Sequence, residues 1–322
     1  MHIDIIDRMD DLVCHRGEWD DVYRADPEAH CFLSWTWIVN WLDHIDEQWF
    51  VLAAKPEAGD VRYGAFFPVQ LRTELADEGG FINSIRMGGW SLAGYSGFIC
   101  RPAVEDDAIA AFGETIKGFN WAQLRLETML ASKKRFDLLT SCFPRGEFSI
   151  DIHERRFDGD GSNYSIYPYV ELPDDFETYL QTRLGKSTRS NARSLLRQLD
   201  GVDLRIAHAT ADTFERDLDI LMGFWETKWG PLKGTRALQR EGADHRVMLR
   251  ACFAAGEALL PVLWMGDKPI GAQGTFIDNT NRALRCLVGS RDLSVKKPSP
   301  GLSSTWHASA GPSKAASRPT VS

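Results

Sequence analysis

The sequence predicts an α+β protein of two domains, each a mixed, mainly antiparallel sheet flanked by helices. Three observations point there. The chain has 322 residues, 43% hydrophobic and 25% charged, a globular composition at a length that suits two medium cores better than one large one. A run of glycines and short polar residues near its middle reads as a surface linker. After it, helices come first and three strands follow in series. That is an antiparallel meander and not a parallel βαβ unit.

The elements follow in order. Residues 3–6 are a short strand candidate. Residues 34–45 carry a helical pattern: Ser34 caps it, and Trp37, Ile38, Trp41, Leu42 and Ile45 recur at helical spacing. Residues 50–54 and 62–72 read as strands joined through the turn-rich 55–60. Residues 84–101 are glycine-rich and aromatic, suited to strands and tight turns. Residues 106–119 are helical, and 123–127 alternate as a strand does. The linker Asp158-Gly159-Asp160-Gly161-Ser162-Asn163 sets the boundary, with domains at 1–160 and 161–302.

The second half repeats the plan. Residues 169–172 form a strand ending at Pro173. Asp174 or Asp175 then caps a long helix toward Leu199, which Gly185 interrupts. Residues 202–207 are a strand. Residues 213–229 form a helix with Phe214, Leu218, Leu221, Met222 and Trp225 on one face, and 244–255 form another. Strands at 258–265, 269–278 and 282–289 are joined by turns at Gly266-Asp267 and Asn279-Thr280-Asn281.

Several function classes are excluded by composition and motif. The formal net charge of -8 disfavours non-specific DNA binding, which needs a cationic surface. Residues 1–9 hold Asp4, Asp7 and Arg8 and lack the apolar core of a leader. No stretch has the length to span a bilayer, so the cytoplasm is the predicted location. The six cysteines, Cys14, Cys31, Cys100, Cys142, Cys252 and Cys286, form no CxxC pair and have no histidine cluster beside them, so neither a metal cofactor nor a disulfide framework is expected. Gly94-Tyr95-Ser96-Gly97 misses the nucleophile elbow because Phe98 stands at its last glycine. His153-Glu154 lacks a second metal-binding histidine. The 158–163 run has Asn163 where a calcium loop needs glycine and Tyr169 where it needs glutamate. No phosphate loop of the G-x-x-x-x-G-K-[ST] type occurs.

Three constellations remain. Lys186, Arg189, Arg193 and Arg197 stand three or four residues apart and share one helix face, opposite Leu184, Leu195 and Leu199. The stripe is either a solvated face or an electropositive strip beside an anionic ligand, which stands out against an acidic background. The strand at 282–289 leads to Lys296-Lys297-Pro298-Ser299-Pro300-Gly301-Leu302, where a proline-started helix would present free N–H groups to a phosphate. Trp35, Trp37 and Trp41 have the spacing of a core helix rather than of a sugar platform. Glu226, Lys228 and Trp229 close a helix before Gly230-Pro231.

Taken in order, these residues resemble the CelD-like branch of the GNAT acyltransferase superfamily. The carriers are Phe32-Leu33-Ser34-Trp35-Thr36-Trp37 with Trp41, then Tyr169-Val170-Glu171-Leu172-Pro173 with Tyr179-Leu180 and the basic helix. Phe224-Trp225-Glu226-Thr227-Lys228-Trp229, Gly271-Ala272-Gln273-Gly274-Thr275-Phe276 and residues 289–302 complete them. The similarity spreads over 32–302. It implies two tandem GNAT-like domains facing each other, as in FemAB-type transferases. It also implies acetyl-CoA or another acyl-CoA as co-substrate, an amine or hydroxyl acceptor that is a small molecule or saccharide-linked, and a link to cellulose or exopolysaccharide production.

The resemblance assigns sites as well. Backbone N–H groups at Leu287, Val288 and Gly289 would meet the thioester oxygen, and Lys296, Lys297, Ser299, Gly301 and Leu302 the diphosphate. An acceptor amine must lose a proton before it attacks, and the oxyanion needs a positioned donor. Glu226 is the candidate base, Gln273 the candidate orienting group, and Tyr95 a first-domain residue that would face the cleft. Lys186, Arg189, Arg193, Arg197 and Trp229 would border the anionic substrate. Direct transfer is expected, since no Cys–His pair is present for a covalent intermediate.

After Leu302 the relatives continue with an apolar helix and a strand. Here residues 303–322 are rich in Ser, Ala, Gly and Pro without apolar period, and are expected to be disordered. The C-terminal domain is accordingly expected to be incomplete, through a frameshift or premature end, and its activity weak. Two other functions compete: a non-catalytic partner in a polysaccharide-export assembly, and a FemAB-like aminoacyl transferase using charged tRNA.

Overall fold

The computed structural model describes residues 1–76, 79–152, 170, 171, 173, 175–201 and 204–295. The chain divides into two compact units, Met1–Tyr167 and Pro168–Ser322. Both are mixed α/β, with helices flanking a sheet.

Unit 1 runs β1 (His2–Ile6), α1 (Met9–Val13), α2 (Arg16–Ala25), α3 (Trp35–His44), β2 (Gln48–Lys55), β3 (Ala65–Leu75), β4 (Phe81–Met87), β5 (Ile99–Cys100), α4 (Glu105–Lys117), β6 (Gln123–Arg125) and α5 (Lys133–Ser141). The sheet order is β1-β2-β3-β4-β6, with β5 on β3. Every pairing is antiparallel except β4 with β6. Ser34 caps α3 as expected, accepting from the N–H of Trp37. Trp35, Trp37 and Trp41 are buried, in keeping with their core spacing. One sheet face packs Phe67, Val69, Ile85 and Met87 against Ile109, Phe112 and Ile116 of α4. On the other, Phe66 stacks on Trp19 of α2 at 4.9 Å between ring centroids.

Unit 2 runs β7 (Val170–Glu171), α6 (Phe176–Arg183), α7 (Lys186–Gly201), β8 (Leu204–His208), α8 (Phe214–Lys233), α9 (Thr235–Ala254), β9 (Ala258–Leu259), β10 (Pro261–Met265), β11 (Lys268–Asp278) and β12 (Ala283–Arg291). Its sheet order is β7-β12-β11-β10-β8, with β9 on β11, all antiparallel. Asp175 caps α6, accepting from the N–H of Thr178 at 2.8 Å. The helix expected to run to Leu199 does divide beside Gly185.

Two helices extend beyond the sequence reading. α8 passes through Pro231 and stops at Gly234, whose φ of 73° and ψ of 155° lie in a region open essentially to glycine. α9 starts immediately after that turn, nine residues before the expected 244. Phe214, Leu218, Leu221, Met222 and Trp225 of α8 pack with Leu249 of α9 on Val262, Trp264, Ala272 and Val288 of the sheet.

Gly274 of β11 lets α9 approach. A Cβ placed there would lie 2.6 Å from Leu249 Cδ2, so the buried leucine or the helix has to move. Gly274→Ala is expected to destabilise unit 2 by about 1–3 kcal/mol, the usual cost of overpacking. Urea unfolding checks this, and adding Leu249→Val should recover part of the loss.

Candidate functional site

Of the expected site residues of unit 2, Gln273 lies on β11 and Leu287, Val288 and Gly289 on β12, while Glu226 and Trp229 lie on α8 and Lys186, Arg189, Arg193 and Arg197 on α7. Between Gly271↔Arg291 and Gly274↔Val288 the two strands keep one register. From Thr275↔Cys286 onward it is shifted by one. Leu287 is therefore an extra residue on β12, a single-residue bulge. Such a bulge bends its strand, raises the local twist and leaves the added residue outside the regular ladder. Val288 is buried, Leu287 half-buried and Gly289 exposed. The first two side chains pack into the core under α8, so only the backbone of this segment is available to a ligand. The far edge of β12 is paired by β7 at Ala283 and Leu284 alone. Beyond that point no strand covers it among the described residues.

Strand alternation places the other residues. Ala272 packs beneath α8 and Gly274 meets α9, so Gln273 between them faces the opposite side of the sheet. There it lies opposite Gly289 and is 5% exposed, with its Nε2 donating to Thr275 Oγ1 at 2.9 Å. Glu226 is exposed on α8 and turned toward Gly242 of α9, 3.9 Å from where a Cβ would stand. Glu226 and Gln273 thus lie on opposite faces of the sheet, and the structure does not bring these two together. Trp229 is half-buried, and its ring carries the Nζ of Lys228 at 4.7 Å and of Lys233 at 5.3 Å.

The basic stripe is only partly available. Arg189 donates to the carbonyl of Gln181 at the end of α6, and Arg193 pairs with Glu177 of α6. These two fasten α7 to α6, leaving Lys186 and Arg197 exposed. Tyr95 belongs to unit 1, where it sits half-buried in an aromatic cluster with His30 and Phe32. Lys296, Lys297, Ser299, Gly301 and Leu302 lie outside the described residues, as does the expected tail.

Sequence reasoning missed His245. It is buried on α9 edge-on to Trp225, 5.3 Å between centroids, and its Nδ1 has no hydrogen-bond partner. Burial, with help from the Lys233 charge, pushes its pKa from 6.5 down to about 4. The unfolded chain therefore binds this proton first. The native state loses stability as pH falls through 6.5, and the loss levels off below about 4. By about pH 5 it amounts to roughly 2 kcal/mol. Unfolding curves at neutral and mildly acid pH should show that slope, and His245→Phe should flatten it.

No group of three or more His, Cys, Asp or Glu poised for a metal occurs among the described residues, and no described helix is long and apolar enough to cross a membrane. Two open grooves, of about 400 Å³ beside α5 and about 650 Å³ beside α2, lie in unit 1 and touch neither β11 nor β12.

Residues 185–310 match the family described as acetyltransferase (GNAT) domain. The match spans α7 to β12 and includes the bulge, and it supports GNAT superfamily membership for that segment. The helix-flanked sheets are consistent with a GNAT-like fold. The family acts in general with an acyl-CoA co-substrate. Among solved structures, a conserved protein of unknown function from Bacteroides thetaiotaomicron VPI-5482 is similar at 13% identity and a TM-score of 0.47, covering 91% of this chain and 83% of that one. No curated protein matches the chain.

Proposed function

We propose that the protein is an acyl-CoA-dependent acyltransferase that passes an acyl group directly from the thioester to an amine, or a hydroxyl, of a small or saccharide-linked acceptor. The carrying observation is the bulge at Leu287 within the segment that matches the GNAT family. A bulge turns backbone amides away from the regular ladder, and it lies on the stretch of β12 whose far edge no described strand covers. There the N–H groups of 287–289 meet the thioester carbonyl oxygen. The acceptor nitrogen attacks the carbonyl carbon, the oxyanion is held by those donors, and collapse expels the CoA thiolate, which takes up a proton. Gln273 shares its face with Gly289 and orients substrate. Glu226, turned toward α9 on the other face of the sheet, takes the acceptor's proton only through solvent.

Unit 2 is then the acyl-CoA side of two tandem GNAT-like domains. A shared plan supports this reading. In each unit one strand lies antiparallel beside the first strand of a three-stranded meander, with helices between the two in sequence: β1 beside β2-β3-β4 in one, and β8 beside β10-β11-β12 in the other. The cellulose or exopolysaccharide setting rests on the CelD-like resemblance.

Calorimetric titration with acetyl-CoA tests the proposal. One site per chain is expected, with a dissociation constant in the range of roughly 1 μM to 1 mM typical of enzyme substrates. Absence of heat from the folded chain with both acetyl-CoA and a longer acyl-CoA would overturn it.

A further inference from the structure

We propose that unit 1 carries a separate binding site for a neutral hydroxylated ligand, a sugar or polyol, where β4 and β6 run parallel and then part. Gln70, Arg72 and Glu74 occupy alternate positions of β3 and so share a face. Arg86 of β4 stands opposite Gln70. β6 pairs Arg125 with Arg86, after which the chain turns through Glu127 and Thr128. Arg86 donates from Nη2 to Glu74 Oε1 at 2.9 Å, and its Nε lies 4.0 Å from Glu127 Oε1.

Gln70 and Arg86 are 3% and 6% exposed. Even so, Gln70 Oε1, Arg86 Nε, Glu127 Oε2 and Thr128 Oγ1 are all buried without a hydrogen-bond partner. Each such atom costs about 1–3 kcal/mol, and their gathering on adjoining residues calls for a ligand.

The backbone adds an independent sign. Thr128 has φ 53°, an outlier for a β-branched residue. Ser96 holds it there: its N–H donates to the Thr128 carbonyl at 3.0 Å, its hydroxyl donates to the Glu127 carbonyl, and its own carbonyl accepts from Leu130. Strain that the surroundings enforce in this way is characteristic of functional positions.

The inventory selects the ligand. Gln70 Oε1 only accepts, Arg86 Nε only donates, and the Thr128 hydroxyl does both. The Arg86 guanidinium lies between the carboxyl groups of Glu74 and Glu127, and Arg72 and Arg125 stand 3.1 and 3.8 Å from Glu74, so each charge here already faces an opposite one. Burial also raises the Glu127 pKa against the opposing pull of backbone N–H groups of Glu127 and Met87 and of the Arg86 and Arg125 charges. Groups that donate and accept at once, the hydroxyls of a sugar, fit this set. Trp90, with its ring centre 5.9 Å from the Arg86 guanidinium carbon and half-buried, offers an apolar rim to the C–H face of such a ring.

Titration of the intact chain with D-glucose, N-acetyl-D-glucosamine and glycerol tests this. At least one should bind with a dissociation constant of roughly 1 mM or tighter. Gln70→Leu should weaken that binding by about 5–10-fold without lowering the thermal midpoint of the free protein, since a buried acceptor without a partner is replaced by an apolar group. Thr128→Gly relieves the backbone strain and removes the hydroxyl. It should weaken binding too, and it provides the reading if Gln70→Leu does not fold. Acetyl-CoA heats measured on the same variants should be unchanged, which separates this site from the acyl-CoA one. No binding by any of the three probes, or equal binding by the wild type and both variants, would overturn the proposal.

Discussion

Deleting Leu287 should abolish most acyl transfer while leaving the sheet intact. The register explains why the deletion is so selective. Residues 288–291 of β12 pair with 271–274 in one register, and residues 283–286 pair with 275–278 in another, with Leu287 between them. Removing it joins the two registers into one regular ladder, and every remaining side chain keeps its face. The cost to the fold is the half-buried leucine side chain, offset by ladder regularity. The cost to catalysis is the displacement of the amides proposed to meet the thioester oxygen. Loss of one oxyanion donor lowers kcat by about 10²–10³-fold, and a fall of that size is expected in thiol release from acetyl-CoA. An unchanged rate in the deletion variant would place the oxyanion donors elsewhere.

The bulge itself is barely legible in the sequence. β12 alternates as a strand should, and the only trace is that Leu287 and Val288 are consecutive and both pack into the same core. In a regular strand one of them would face away. The sequence is more informative where signals are local. Ser34 predicted a cap and the tryptophans a buried helix. Gly185 marked a division between helices. The turn pairs after Met265 and Asp278 marked the meander. What was not legible depends on distant partners. Arg189 and Arg193 read as a free cationic stripe because their partners, Gln181 and Glu177, belong to a different helix. Glu226 and Gln273 read as one site because nothing local tells which sheet face each occupies. His245 carries no motif at all, and only the packing of α9 on Trp225 makes it conspicuous.

The same dependence on distance produces the largest expected stability effect, at Arg135. Its side chain is 2% exposed and that of Asp26 is fully buried. The guanidinium donates from Nη1 and Nη2 to both Asp26 oxygens at 3.0 and 2.8 Å, and from Nε to Glu105 at 2.8 Å. Glu28 lies 3.3 Å from that Nε. Asp26 also accepts from the backbone N–H of Glu28 and of Cys100. One arginine therefore joins α5 to the segment after α2 and to the start of α4. Arg135→Met fills much of the volume but leaves the Asp26 carboxylate buried and unpaired. The expected loss is about 3–5 kcal/mol, as for other buried pairs broken on one side. Arg135→Lys keeps the charge and loses the two-pronged geometry, so it should fall between the wild type and the methionine variant. Adding Asp26→Asn to Arg135→Met removes the stranded charge and should recover part of the loss, a positive coupling that a double-mutant cycle reads directly. Urea unfolding of the five proteins, the Asp26→Asn single variant included, measures all of it. A shift below about 1 kcal/mol for Arg135→Met would mean that solvent reaches this pair and that the fork contributes no more than a surface ion pair does.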